Sequence, residues 1–516
     1  MSDAVLSRRR FLQLSAGSAA ALAAGCDLGG PLREFPFTLG IASGDPLADR
    51  VVLWTRLAPE PLDPTGRGGM PQRPFPVVWQ VAEDESFRRV VRAGASITTP
   101  ASGHTVHVDA GGLRPERWYY YRFFAAGHES PVGRTRTAPA PGSSPARLRF
   151  ASASCQDFKD GYYTSHAQMA QEDLDLVVFL GDYIYEDGVQ GDVRNHDGPR
   201  IRDLAGYRNR YALYRSDPNL QEVHRLFPWV VTWDDHEVSN NYAGLLPDEN
   251  GPFADFSPQT FAALRADAYQ AWWEHMPVRL APPKGSSSLR IFRRLEFGDL
   301  VDLLVLDTRQ HRTDQECGDA GPGPVCEGFP SPDGDMLGPV QESWLRQSLE
   351  RSGALWNVLA QQVVLAPTPI LGLLNFDQWD GYPLARQRLI DFLRERAVRN
   401  PVVLTGDIHA SGIAWVPGDS LNFTDPVASE FVATGISSGG LDPGLVGFAE
   451  QVLGNLPHIE FFEGVRRGFL RHEVTPGLWR ADLRLVQTVT SPTSELDTAT
   501  SQSFVVESGD PRPQPA

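Results

Sequence analysis

Val177-Val178-Phe179-Leu180-Gly181-Asp182-Tyr183-Ile184-Tyr185-Glu186 is a short apolar run that breaks into Gly-Asp-x-x-Tyr. The run has the length and β-branched content of a buried strand. Its tip is where chemistry is expected. A carboxylate at the end of a buried strand can bridge two cations, and the phenol of Tyr185, three residues on, can turn toward one of them. Taken alone, the same residues also describe an ordinary strand end with Asp182 capping the next turn.

Working outward from this strand, apolar runs and helical periodicity alternate. Residues 147–153 read as strand, 162–172 as helix, 176–180 as strand, 218–226 as helix and 229–233 as strand. A helix over 261–273 follows, then strand 301–306, helix 341–349, strand 358–365, helix 385–394 and strand 402–405. This is the pattern of a layered α/β domain. In such sheets ligands gather beyond the carboxyl ends of strands. The polar clusters fall there: Cys155-Gln156, Asp182 with Tyr185, Asp234-Asp235-His236-Glu237 with Asn240-Asn241, and Gly406-Asp407-Ile408-His409. Each cluster alone is compatible with a capped turn. Four within one domain point to metal, because several buried carboxylates are costly together unless cations compensate them.

Ahead of this domain, residues 37–139 hold short alternating runs such as Val51-Val52-Leu53-Trp54-Thr55 and Trp118-Tyr119-Tyr120-Tyr121-Arg122-Phe123, separated by turn residues. They predict a β-sandwich of immunoglobulin or fibronectin type with no catalytic constellation. Pro139-Ala140-Pro141-Gly142-Ser143-Ser144-Pro145 reads as the linker. The expected organisation is a targeting segment over 1–26, a β-sandwich over 35–140, the α/β domain over 146–506 and a flexible tail over 507–516.

At the N-terminus, Ser7-Arg8-Arg9-Arg10-Phe11-Leu12-Gln13 and the small-residue apolar run 14–24 look like a twin-arginine export signal. The run is too short for an ordinary transmembrane helix. Leu22-Ala23-Ala24-Gly25-Cys26 resembles a bacterial lipobox, with Cys26 as the lipidated residue; a plain signal peptide is the alternative. Either way the expectation is export to the periplasm or cell surface, with membrane contact only through a lipid on Cys26. In that oxidising setting Cys317 and Cys326, nine apart in a Gly/Pro-rich loop, read as a local disulfide and leave Cys155 without a partner. A net charge of −17, from 47 basic and 64 acidic residues, opposes nucleic-acid binding by the body of the protein.

The order Gly-Asp-x-x-Tyr, Asp-His-Glu, Gly-Asp-x-His resembles the calcineurin-like metallophosphoesterases, and most closely the PhoD-like alkaline phosphatases. Ala153-Ser154-Cys155-Gln156, Tyr207-Arg208-x-Arg210-Tyr211, Leu306-Asp307-Thr308-Arg309 and Trp379-Asp380-Gly381-Tyr382-Pro383 carry the likeness through the second domain, and residues 37–46 with 53–56 carry it through the first. Most of the superfamily has Asp-x-His after the first strand; here Cys155 stands in that place, a substitution that PhoD-like proteins share. A thiolate and a phenolate on one ion favour Fe(III), held by Cys155, Asp182, Tyr185 and His409. The resemblance implies Ca(II) at an oxygen-rich second position, with Asp182 bridging and Asp235, Asn240 and Asp407 as ligands. Asp234, Asn241 and Gln362 stand as further candidates.

The implied activity is hydrolysis of phosphomonoesters, phosphodiesters or both by a metal-activated water or hydroxide, on a phosphate-ester substrate. Asp235 and His236 are the expected catalytic pair, His236 contacting phosphate or protonating the leaving group, or else orienting Asp235. Arg309 is expected to hold a phosphate oxygen. Residues 443–453 and Gly468-Phe469-Leu470 are candidate lid segments. Two alternatives stand beside this reading: a phospholipase D-like phosphodiesterase of the same family, and a non-catalytic surface lipoprotein with structural metals.

Overall fold

The computed structural model describes residues 32–188, 190–196, 198–319, 321–440 and 443–516. Residues 1–26, read above as an export signal ending at Cys26, lie outside the described residues. Six parallel strands carry the architecture: β1 Leu148–Ala153, β2 Leu176–Phe179, β3 Pro228–Val231, β4 Val301–Val305, β5 Trp356–Ala360 and β6 Pro401–Thr405. β1, β2 and β3 are neighbours within a ten-stranded sheet, and β4, β5 and β6 within a seven-stranded one.

Side-chain alternation decides how the two sheets stack. In β2, Leu176 and Val178 point into a core shared with Val301, Leu303, Val305, Val358, Val402 and Leu404 of the other sheet. Val177 and Phe179 point the opposite way, into a core closed by helices Leu204–Arg215, Pro218–Leu226 and Pro258–His275. Helices Gly338–Glu350 and Pro383–Glu395 cover the outer face of the second sheet. The result is four layers, helix–sheet–sheet–helix, in which both sheets are buried on both faces. That is why β2 and β3 are continuously apolar.

The N-terminal sandwich has the expected two sheets, yet only one of them is its own. Phe75–Ala82, Val90–Thr98, Trp118–Ala125, His128–Glu129 and Gly133–Arg136 form a separate five-stranded sheet. The facing strands Ile41–Gly44, Arg50–Arg56 and Thr105–Gly111 extend the ten-stranded sheet, with Ser43 and Gly44 opposite Pro228 and Trp229 of β3. The close approach needs glycine: a Cβ on Gly44 would lie 2.3 Å from the Pro277 carbonyl oxygen and 2.6 Å from that of Trp229. The linker therefore divides the sequence without dividing the hydrogen-bonded sheet.

Several expectations are corrected. Gly468, Phe469 and Leu470 are no lid: they lie in strand Arg467–Val474, Leu470 pairs with Ser152 of β1, and both apolar side chains are buried. The last residues are not a loose tail, because Gln514–Pro515 pairs with strand Ser503–Glu507 and Asn400 accepts the Gly509 N–H. The strand expected over 358–365 stops at Ala360, and the helix over 162–172 shortens to Thr164–Met169. Helix Leu204–Arg215, capped by Asp203, was not expected. Helix Pro443–Leu453 is present, and Cys317 is bonded to Cys326, leaving Cys155 as a buried free thiol.

Candidate metal centre

The six parallel strands all end on one side, and the chain turns sharply at the tips of β1, β2 and β6. Cys155, Asp182, Asp407 and His409 take left-handed backbone there, with φ of 55°, 55°, 66° and 54°. Non-glycine residues seldom adopt this region, and each such residue costs on the order of 1–3 kcal/mol that the surrounding structure must hold. Four of the residues singled out as ligands thus carry backbone strain of their own.

The tips assemble two overlapping poles. One atom each of Cys155, Asp182 and His409 lie within 4.8 Å of one another; so do atoms of Asp182, Asp235 and His236, and of Asp234, Asp235 and Asp407. Asp182 and Asp235 each belong to two of these groups.

At the first pole the Tyr185 hydroxyl donates to Asp182 Oδ2 at 2.9 Å and lies 3.0 Å from His409 Nε2. Ser438 Oγ donates to the same phenol oxygen at 2.7 Å. His409 Nδ1 is 2.6 Å from the Gly439 carbonyl, which makes Nδ1 the protonated nitrogen and leaves the Nε2 lone pair facing Tyr185. Burial pushes the Cys155 thiol and the Tyr185 phenol well up, with the neighbouring Asp182 charge adding to both.

At the second pole a buried arginine stands among carboxylates. Arg309 Nε donates to Asp234, Nη1 to both oxygens of Asp377 at 2.7 and 2.9 Å, and Nη2 to Asp407 Oδ1 at 2.7 Å, with Asp235 at 3.7 Å. Its side chain is fully buried. The donors of Arg309, expected on a phosphate oxygen, are taken here by the acids that line the site. Gln378 Nε2 donates to the other oxygen of Asp407 at 2.6 Å. Burial raises Asp407 to about 6 against the pull of Arg309. Burial likewise raises Asp182 and Asp234 well above the usual carboxylate range. Burial also works against an ionised Asp235, but Arg309 and His236 outweigh it and hold the group below the usual carboxylate range.

The two asparagines make different contacts. The Asn240 amide nitrogen donates to Asp248 Oδ2 at 3.0 Å, while the backbone N–H of Asn241 donates to Asp235 Oδ2 at 2.7 Å. Gln362 is committed elsewhere: its amide oxygen accepts from Thr308 N and Oγ1 at 2.9 and 2.6 Å, and its nitrogen donates to Thr232 Oγ1 at 2.8 Å. It ties three strand tips together.

His236 lies tilted by 31° against Tyr185, ring centroids 4.1 Å apart, and places Nδ1 2.7 Å from Glu186 Oε2. The other Glu186 oxygen accepts the Asn240 N–H at 2.9 Å. Glu237 has a different task, accepting the backbone N–H groups of Asp182, Tyr183 and Asp234 at 3.0, 2.6 and 2.7 Å, and so pinning two tips together. Sequence reasoning did not single out Glu186, Asp377, Gln378 or Ser438. Glu186 closes the stretch first quoted, but nothing local distinguishes it from a surface acid; Ser438 lies in a small-residue loop 253 positions from its partner.

The donor set fits cations. Asp234 Oδ2 is buried without a hydrogen-bond partner, and the three carboxylates of the second pole share one full arginine contact with Asp377. A buried acid in that condition calls for positive charge. The first pole offers sulfur, nitrogen and oxygen atoms, the second oxygen alone.

Comparison with known proteins adds a consistent picture. A family model described as PhoD-like phosphatase matches residues 150–483, and one described as PhoD-like phosphatase, N-terminal domain, matches residues 23–139. Alkaline phosphatase D of Bacillus subtilis (strain 168) is 45% identical over 520 residues, covering 96% of this chain and 87% of the relative. A solved structure described as "Structure of PhoD" superposes with a TM-score of 0.89 at 45% identity, covering 95% of this chain and 93% of the other.

Proposed function

Because the chain belongs to the PhoD-like phosphatases and is a phosphoric ester hydrolase, we propose that it is an exported, metal-dependent enzyme cleaving phosphomonoesters and phosphodiesters with water as the nucleophile. The observation that carries this reading is the chain of three ligand groups, joined through Asp182 and Asp235, with His236 in the middle group. Cys155, Asp182, Tyr185 and His409 would hold Fe(III), the thiolate and phenolate suiting that ion. Asp182, Asp235 and Asp407, with Asp234 beside them, would hold Ca(II). When bound, the cations supply Lewis acidity and offset the charge of the phosphate oxygens.

The chain's own residues do the rest. Glu186 holds His236 Nδ1, so that Nε2 is the nitrogen presented to a leaving group. The Asn241 N–H and the Arg309 guanidinium keep Asp235 and Asp407 in fixed orientations. Ser438 and Gly439 do the same for Tyr185 and His409. Export rests on the twin-arginine pattern at Arg8, Arg9 and Arg10 and is tested by replacing two of them with lysine and following the protein outside the cytoplasm.

The enzyme is tested by measuring Fe and Ca in the exported protein, recording a phenolate-to-Fe(III) absorption, and assaying nitrophenyl monoester and diester at alkaline pH. Turnover with both metals present is expected. Metal without turnover of either ester sinks the assignment. A Cys155→Ala variant that keeps full iron content removes the thiolate from the first pole.

A further inference from the structure

A cavity of about 260 Å³ opens beside the second pole, with Asp407 and Gln378 at its polar end. Its walls are apolar. Ile413, Val432, Ile459 and Phe461 line it from the seven-stranded sheet, and Ala449 and Leu453 close it from helix Pro443–Leu453. Glu430 also reaches the cavity but offers it no free charge: its oxygens accept the Leu365 and Ala366 N–H groups at 2.9 and 2.6 Å and the Thr405 hydroxyl at 2.6 Å. Gln378 spends a donor on Asp407. Of the other polar side chains in the wall, the Thr368 hydroxyl donates to Asp380 and the Asn375 amide oxygen accepts the Asp377 N–H, so most of the surface offered to a ligand is apolar.

We propose that this cavity is a subsite for a single, medium-length aliphatic chain carried by the phosphate ester. The inference rests on the phosphoesterase reading of the same centre and names one part of its substrate. A phosphate bound to a cation that Asp407 would hold has its ester oxygens at the polar end of the cavity, and an alkyl arm is the group whose transfer from water these walls reward. Size sets the limit. At ~30 Å³ per water-sized group the cavity takes about eight or nine methylene units, too few for a lipid with two long acyl chains. Helix Pro443–Leu453 therefore acts as a wall that measures chain length.

The test uses the metal-loaded full chain and two homologous series below their micelle concentrations. Nitrophenyl alkyl phosphates from methyl to decyl report turnover, and alkylphosphonic acids of the same lengths report binding by calorimetry. Affinity and kcat/KM are expected to rise by up to about fourfold per methylene and to level off near octyl. Ala449→Trp fills the cavity, so the rise disappears while methyl ester turnover stays within twofold. Wild-type binding that is flat from methyl to decyl overturns the subsite whatever the variant does. Faster hydrolysis of two-chain phosphatidylcholine vesicles than of the octyl ester overturns the single-chain assignment. Failure to turn over any nitrophenyl ester overturns the phosphoesterase reading, while the phosphonate affinities still decide the subsite.

Discussion

The two poles of the centre solve the same electrostatic problem in different ways. At the second, Asp234, Asp377 and Asp407 are met by the built-in cation of Arg309, and Arg312 adds a second contact to Asp377. At the first, Cys155, Asp182 and Tyr185 meet the hydroxyls of Ser154 and Ser438, the His409 ring and the His236 backbone N–H. A fixed guanidinium offsets part of the carboxylate charge before any ion binds, whereas at the first pole the cations are engaged elsewhere: Arg467 donates to the His409 carbonyl and His236 pairs with Glu186. The difference teaches which pole depends on its ion. The first is held in shape by left-handed tips and hydrogen bonds and is left to a highly charged cation for its charge balance; the second is already part-neutralised and suits a looser oxygen-bound ion.

The most damaging way to break this contrast is to remove what the poles share. Asp182→Ala is expected to lower kcat by about three orders of magnitude and to empty both poles in metal analysis; a variant that keeps one metal and a tenth of its activity shows that Asp182 does not bridge. Next is Arg309→Met, which strands buried acids. Unfolding free energy of chelator-treated protein is expected to fall by about 3–5 kcal/mol in denaturant melts, with partial recovery on adding calcium. A raised KM at unchanged stability would instead return Arg309 to phosphate binding.

Glu186→Gln sharpens the reading of His236. Loss of about 10–100-fold in kcat is expected for alkyl monoesters, which need a proton on the leaving oxygen, with nitrophenyl esters much less affected. Equal losses on both would make Glu186 a packing residue. The smallest effect is expected from Asn240→Ala, about 1 kcal/mol of stability for its bond to Asp248, with calcium content unchanged. A drop in calcium content would restore Asn240 to the ligand set.

Much of this was legible where the signal is local. Helix Pro218–Leu226 announces itself through the Asp217 cap and the proline at its first position. Helix Leu204–Arg215 does not, because it buries Arg208, Arg210 and Arg215 among its aromatics, and the partner that makes Arg208 tolerable is Glu274, far along the chain. Gly468-Phe469-Leu470 looked like a mobile flap because a glycine before two apolar residues carries no mark of the strand beside it. Only its pairing with β1 shows that it is central.

The sequence by itself determined the parallel strand tips, the types of ligand atom placed on them and the pairing of Cys317 with Cys326. These depend on periodicity, residue chemistry and short spacing. Tertiary structure alone decided that Arg309 is buried among acids, that Asn241 rather than Asn240 reaches Asp235, that Ser438 meets Tyr185, and that an apolar cavity adjoins Asp407. Those relations depend on how strands distant in sequence come into register and on where burial leaves a charge or a hydroxyl, and local pattern does not encode either.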